Sequence, residues 1–202
     1  MDLAVIAIVF GTIFVVELPD KTFIAALVLS TRYRPLAVWV GVGLAFFVQT
    51  LIAVLAGQVA TLLPEALIRT VAMVIFAVGA VLLFRAAPGA DAEEKEQEEE
   101  FAARATEPRA GLKAVGTSFL VLFAAEWGDL SQLLTISMVA RFGEPVSVFI
   151  GAWAALLTVS GLAVLVGTVL LRHVKLSVIH YLGSAVCLIL ALITAWELIS
   201  SL

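Results

Sequence analysis

The stretch VVELPDKTFIAALVL, residues 15–29, places a glutamate, an aspartate and a lysine inside a long apolar segment. This segment runs from about residue 3 to about residue 30, which is enough for a helix to cross the ~30 Å hydrocarbon core of a bilayer. A charged side chain at the centre of such a helix costs roughly 2.5–3.5 kcal/mol if it faces lipid. We therefore expect the acids to point into the protein, toward each other, a cation or water.

The composition of the whole chain is that of a membrane protein. Of the 202 residues, 62% are hydrophobic and 14% are charged, and the mean hydropathy is +1.12. Soluble domains are closer to one-half apolar. The net charge of −4 and the single cysteine, without a Cys/His cluster, give no sign of a nucleic-acid surface, a disulfide framework or a zinc site. These features exclude a soluble enzyme, a secreted disulfide-rich domain and a nucleic-acid-binding protein.

Six apolar segments are long enough to span a bilayer, and short connections rich in proline, glycine or basic residues separate most of them. Apolar residues occur all round each segment instead of alternating, which favours helices over a β-barrel. The predicted fold is an all-α integral membrane protein with six transmembrane helices. Their approximate ranges are 3–30, 36–62, 66–85, 113–140, 146–171 and 176–199.

The chain divides into two three-helix repeats joined by an acidic linker. We assign residues 1–86 to the first repeat, 87–112 to the linker and 113–202 to the second repeat. The linker contains EEKEQEEE, residues 93–100, which has too little apolar surface to fold alone and is expected to be flexible or partly helical. It either tethers the two halves or gathers or senses cytosolic cations.

The repeat is visible in ELPDKT, residues 17–22, and EWGDLS, residues 126–131, which lie 109 positions apart. Matched prolines and glycines continue downstream, including Gly41 with Gly151. Because each half has three spans, the second half is expected to enter the membrane with opposite polarity. Such inverted repeats place a binding site at the interface of the halves, near the bilayer midplane.

The distribution of lysine and arginine predicts the orientation of the protein. The loops after the first, third and fifth spans carry nine basic residues, against two, Arg69 and Arg141, on the other face. The positive-inside rule places the richer face in the cytoplasm. Both termini are then outside and the linker is cytoplasmic, in a membrane that we expect to be a bacterial inner membrane.

Each motif presents two carboxylates on one face of a helix. Glu17 pairs with Asp20, and Glu126 pairs with Asp129, because positions i and i+3 lie on the same side. Lys21 can neutralise one acid, but the second motif has no equivalent base. Carboxylates are hard ligands suited to Mg²⁺, Ca²⁺ or Mn²⁺. The sequence therefore predicts that the four acids bind a divalent cation.

Further polar side chains near the acids are candidate ligands. Thr22, Ser131 and Gln132 follow the acids directly, whereas Gln49, Thr50 and Ser160 lie midway along the second and fifth spans. For the second-span and fifth-span group, hydrogen bonding between helices and cation binding are equally good interpretations. Trp127 is expected to form a wall of the cavity.

The two motifs resemble the paired E-x-G-D-[KR]-[TS] signatures of the calcium:cation antiporter-2 family, whose members include bacterial manganese exporters and Golgi and chloroplast manganese/calcium transporters. The resemblance covers essentially the whole chain. It implies a cation/proton antiporter in which Glu17, Asp20, Glu126 and Asp129 bind the metal, with the hydroxyls of Thr22 and Ser131. Two positions depart from the signatures, namely Pro19 in place of glycine and Leu130 in place of a basic residue.

The expected function is secondary active transport, with Mn²⁺ or Ca²⁺ leaving the cytosol in exchange for protons. No enzyme activity, no resident cofactor and no nucleic-acid partner are expected, and the sequence leaves open whether the protein forms a homo-oligomer. Two alternatives remain at this point. One is an exporter of amino acids or similar small solutes, and the other is an intramembrane hydrolase that uses an acid dyad.

Overall fold

A computed structural model of the chain describes residues 1–18, 21–104, 111–173 and 176–200. Within these ranges the secondary structure is helical, with one 3₁₀ turn at Ala87–Gly89. The α-helices are Leu3–Glu17 (α1), Lys21–Arg32 (α2), Pro35–Ala60 (α3), Glu65–Ala86 (α4), Ala90–Arg104 (α5), Leu112–Ala125 (α6), Leu130–Phe142 (α7), Pro145–His173 (α8) and Leu176–Ser200 (α9). The predicted all-α class is confirmed.

Four of the helical segments are long and apolar enough to cross a membrane on their own. They are Pro35–Ala60, Ala66–Gly89, Pro145–Leu165 and Ser177–Ser200. Two bent pairs, α1 with α2 and α6 with α7, raise the number of spans to as many as six if each pair counts as one. The chain is therefore an integral membrane protein, with four to six spans among the residues that the structure describes.

The spans predicted over residues 3–30 and 113–140 are each divided into two helices. The axes of the first pair meet at 69° and those of the second pair at 74°. In the second pair, Gly128 has φ of +80°, a left-handed conformation that ends a right-handed helix and that residues with a Cβ seldom adopt. In the first pair, Pro19 and Asp20 stand between the helices and lie outside the described residues.

Helices α3 and α8 pack against each other, and each also packs against the first helix of a bent pair. Helix α6 packs on α3, and α1 packs on α8. A Cβ added at Gly41 would lie 2.4 Å from the carbonyl oxygen of Val115, and one added at Gly151 would lie 2.7 Å from that of Ile6. These glycines allow the helix backbones to approach closely, as small residues commonly do in membrane proteins.

Helices α4 and α9 form the most extensive helix pair in the described structure. The hydroxyl of Ser184 in α9 donates a hydrogen bond of 2.8 Å to the carbonyl of Ala80 in α4. Both helices also expose large apolar side chains, such as Leu82 and Leu192. Such exposed apolar surface fits a lipid environment.

The acidic linker contains a folded helix that is docked on the membrane domain. Helix α5 packs mainly against α2, and Phe101 of α5 is only 4% exposed. The expectation of a partly helical segment therefore holds for residues 90–104, but this part is not a freely moving tether. The reason is tertiary, because Phe101 and Ala90 bury apolar surface that the acidic sequence around them lacks.

Candidate metal centre

Three carboxylates from the two halves of the chain meet inside the protein. One oxygen from each of Glu17, Glu126 and Asp129 lies within 4.8 Å of the other two. Glu17 and Glu126 are almost fully buried, at 0% and 2% exposure, and Asp129 is partly buried. Repulsion among carboxylates this close favours either a shared proton or a bound cation.

A hydroxyl connects the two halves at this cluster. Thr22, in the first turn of α2, is fully buried and donates a hydrogen bond to Oε1 of Glu126. Thr22 belongs to the first motif and Glu126 to the second, so the two motifs are in direct contact. This contact constrains the Glu126 carboxylate from the opposite half of the chain.

The broken helices explain how the acids reach the same place. Glu17 is the last residue of α1, Glu126 follows the end of α6, and Asp129 immediately precedes α7. Helix N-termini carry partial positive charge and helix C-termini carry partial negative charge. An arrangement with both kinds of terminus at one point can accommodate carboxylates and a cation together.

A small cavity adjoins Glu126. Its volume is about 10 Å³, which is room for about one water molecule or one small ion. Its polar walls come from α3, α7 and Glu126 at the end of α6, and Phe46, Ala53 and Leu156 complete it. The polar lining residues are Gln49, Thr50, Glu126, Ser131, Gln132 and Thr135.

The two glutamines at the cavity bond to backbone around the break between α6 and α7. The Nε2 of Gln49 donates to the carbonyl of Phe123 at 2.9 Å. The Nε2 of Gln132 donates to the carbonyl of Glu126 at 2.9 Å, and its Oε1 accepts from the amide of Gly128 at 3.2 Å. Both side chains thus engage the polypeptide that carries Glu126 and Asp129.

Not every residue singled out in the sequence lies at this site. Ser160 is buried but donates to the carbonyl of Leu157 in its own helix and does not line the cavity. Asp20 and the side chain of Lys21 lie outside the described residues. The expectation that Trp127 forms a cavity wall is wrong, because this side chain is 64% exposed and packs beside Phe123.

Sequence reasoning missed Thr135 as a lining residue. Thr135 is 4% exposed, lines the cavity and donates to the carbonyl of Ser131 at 2.7 Å. The signal was present, because Ser131 and Thr135 are four positions apart and therefore share one face of α7. The hydroxyl of Thr135 was overlooked because it stands one turn away from the motif.

The family described as "Divalent cation/proton antiporter GDT1" matches residues 5–91 and 114–201, so each matched segment contains one acidic motif. No solved structure matches the chain.

Individual relatives cover nearly all of this chain. The chloroplast protein PAM71 of Arabidopsis thaliana is 30% identical over 95% of the chain, and a GDT1-like protein of Synechocystis is 32% identical over 93% of it. The chain spans 56% of the length of the Arabidopsis protein and 95% of the length of the Synechocystis protein. A GDT1-like protein of Schizosaccharomyces pombe is 28% identical over 95% of the chain, and the chain spans 80% of the length of that protein. With both motifs inside the matched segments, the chain belongs to the divalent cation/proton antiporter family GDT1.

Proposed function

We propose that this protein is a secondary active transporter that exports Mn²⁺ or Ca²⁺ from the cytosol in exchange for protons. The observation that carries the proposal is the buried cluster of Glu17, Glu126 and Asp129, whose oxygens lie within 4.8 Å of one another. Membership of a family of divalent cation/proton antiporters supports the same activity. The transported cation is a substrate, and the proposal includes no resident cofactor.

The donor set favours a hard divalent ion. Three carboxylates contribute oxygens to the site, and the hydroxyls of Thr22, Thr50 and Ser131 lie beside the acids or along the adjoining cavity. Oxygen ligands of this kind suit Mn²⁺ and Ca²⁺, whereas soft ions select thiolates. We propose Glu17, Glu126 and Asp129 as ligands, together with Asp20, which the sequence pairs with Glu17.

Competition between metal and protons for the same oxygens supplies the coupling. Burial favours the neutral form of a carboxylic acid, whereas a bound dication favours the ionised form. Protons entering from outside would neutralise the acids and release the metal. The protonated protein would then reorient, lose its protons to the cytosol and bind the next cation.

We propose that the two halves are inverted repeats which rock about the shared site. The contact of Gly41 with Val115 has a counterpart in the contact of Gly151 with Ile6, and Val115 and Ile6 are 109 positions apart, like the motifs. The family also matches the chain in two segments. Breaks in both α1–α2 and α6–α7 are typical of transporters built from such repeats.

The proposed orientation puts both termini outside and α5 in the cytoplasm of a bacterium. The distribution of lysine and arginine supports it, with nine residues on the proposed inner face and two on the outer face. The amino group of Met1 lies 3.7 Å from Glu144, so the N-terminus and the connection before α8 share one face, as the proposal requires. The relative from Synechocystis, of nearly equal length, supports a bacterial membrane.

The size of the cavity disfavours the two alternatives. An amino acid or a peptide needs a pocket far larger than about one water molecule, and the cavity beside Glu126 has a volume of about 10 Å³. A hydrolase would also need access for an extended segment beside its acid dyad. A single dehydrated cation fits the space and the ligands better than either substrate.

Proteoliposomes loaded with a pH-sensitive dye test the proposal. Addition of Mn²⁺ or Ca²⁺ should drive proton movement, and Glu17→Gln or Glu126→Gln should abolish it because each removes a charge from the cluster. Glu99→Gln, on the exposed surface of α5, is the matched control and should transport normally. Cation-dependent proton movement that persists in both cluster variants would refute the assignment.

A further inference from the structure

At the break between α6 and α7, two side-chain amides donate to backbone carbonyls that an uninterrupted helix would pair internally. In an uninterrupted helix the carbonyls of Phe123 and Glu126 would accept from the amides four residues later. Helix α6 ends at Ala125, and these carbonyls instead accept from Gln49 and Gln132. The amide of Asp129 adds a second, 3.2 Å bond to the carbonyl of Glu126.

Gln132 is the more constrained of the two side chains because both ends of its amide are used. Its Nε2 reaches back to residue 126 and its Oε1 holds the amide of Gly128. The two bonds therefore bracket the turn that separates Glu126 from Asp129. One of the two bonds is made by the amide of Gly128, the residue whose positive φ makes the turn.

The matched positions in the first motif and in α8 carry side chains that cannot form such bonds. With the offsets of the repeat, Gln132 corresponds to Phe23 and Gln49 corresponds to Val159. Both counterparts are apolar and fully buried, at 0% exposure. Among these matched positions, only the two glutamines at the break between α6 and α7 have side-chain amides that can bond to the backbone.

We propose that Gln132 is a positioning residue for the cation site and that its amide fixes the separation of Glu126 and Asp129. This inference rests on the proposed function, because it takes those acids to be cation ligands. It assigns Gln132 a different role from direct coordination. Partners that orient metal ligands commonly change metal affinity by about 10- to 100-fold when they are removed.

Two substitutions distinguish positioning from coordination. Gln132→Leu has a similar size and forms neither bond. Gln132→Glu keeps an oxygen that can accept from Gly128 but lacks the amide hydrogens that bond to the carbonyl of Glu126. If Gln132 were a ligand, the glutamate would add charge to the site and would hold or strengthen Mn²⁺ binding.

The experiment combines hydrogen exchange on the metal-free protein in detergent with Mn²⁺ titration calorimetry at mildly alkaline pH. We expect faster exchange at Gly128 in Gln132→Leu and near-normal exchange in Gln132→Glu. Both variants should bind Mn²⁺ about 10- to 100-fold more weakly, and in liposomes KM should rise while kcat changes little. Gln58→Glu, exposed on α3, is the control and should match the unsubstituted protein.

Two results would overturn the inference. One is Mn²⁺ binding by Gln132→Glu that equals or exceeds that of the unsubstituted protein. The other is unchanged exchange at Gly128 in Gln132→Leu. If the unsubstituted protein itself binds neither Mn²⁺ nor Ca²⁺, the proposed function fails, and with it the role of Gln132 at a cation site. That failure is distinguishable from the other two because it is seen in the unsubstituted protein alone.

Discussion

The hydroxyl of Thr22 donates a hydrogen bond to the carboxylate of Glu126, although 104 positions separate the two residues. The bond joins the first turn of α2 to the end of α6 and is fully enclosed by protein. It restrains one carboxylate of the cluster from the opposite half. The proposed cation site is therefore shared between the halves, and a movement of one half changes the surroundings of an acid in the other.

Replacing Thr22 with valine should weaken cation binding. Valine has nearly the same shape but no hydroxyl, so the bond to Glu126 is lost inside the protein. A lost hydrogen bond to a charged group corresponds to roughly 1.5–3 kcal/mol, or about a 10- to 100-fold rise in the Kd for Mn²⁺. Titration calorimetry on the purified protein measures this change.

Two further variants control the threonine experiment. Thr22→Ser keeps the hydroxyl and should recover most of the affinity. Thr31→Val removes a hydroxyl that bonds to Val28 within α2, away from the cluster, and should leave the Kd unchanged. Equal Kd values for Thr22→Val and the unsubstituted protein would argue against a role for this bond in the site.

Cation affinity should fall as the pH falls. Protons and metal compete for the same carboxylates, so binding of one dication should release protons, and acid should favour the metal-free form. Calorimetry in two buffers that differ in ionisation enthalpy gives the number of protons released. Glu126→Gln should reduce that number because glutamine has no proton to release.

A pH-independent Kd with no proton release would contradict this coupling. The exposed residue Glu99 supplies the matched control, since Glu99→Gln also removes one carboxylate but should leave the proton count unchanged. The comparison separates the cluster from the general acidity of the chain.

Gly41 should not tolerate a side chain. A Cβ at this position would lie 2.4 Å from the carbonyl oxygen of Val115 and 2.9 Å from the Cβ of Ser118, so α3 and α6 would have to separate. Overpacking of this kind typically costs about 1–3 kcal/mol. Gly41→Ala should therefore lower the Tm of the protein in detergent, as followed by tryptophan fluorescence.

The control for Gly41 is a glycine on the exposed face of α6. A Cβ at Gly116 of α6 would have no atom within 4 Å, and alanine favours helix, so Gly116→Ala should hold or raise the Tm. A normal Tm for Gly41→Ala would contradict close packing of α3 against α6 at this position.

Phe101 should hold the linker helix on the membrane domain. Its side chain is 4% exposed, and α5 packs on α2, whereas the acidic residues around it contribute little apolar surface. Phe101→Ala should release α5 and accelerate tryptic cleavage after Lys95, which lies within this helix. Mn²⁺ affinity should stay within about twofold, since the cluster is formed by other helices.

Glu99→Gln again provides the control for α5, because it alters the exposed face of the helix and leaves Phe101 in place. Its cleavage rate after Lys95 should match that of the unsubstituted protein. Identical cleavage of Phe101→Ala and the unsubstituted protein would mean that other contacts hold α5.

Much of the site followed from the sequence because burial of charge in lipid is so unfavourable. Glu17, Glu126 and Asp129 had to face inward wherever their helices lay, and the structure brings these three together. The partners of the Gln132 amide could not be predicted from the sequence. Its oxygen can bind a cation, and its NH₂ group can equally well donate to a backbone carbonyl beyond the end of a helix. Ser160 likewise had its own helix as an alternative partner, and it bonds there.

The sequence by itself determined that the chain is helical, that it resides in a membrane and that two acidic motifs repeat along it. Hydropathy, charge count and motif spacing can be read from the chain alone. The cost of placing charge in lipid is the same whatever the arrangement of the helices. Only the tertiary structure decided the bends of 69° and 74°, the bond between Thr22 and Glu126 and the docking of α5 through Phe101. These depend on contacts between residues far apart in the chain, where several partners of similar chemistry compete and the packing of the whole protein selects among them.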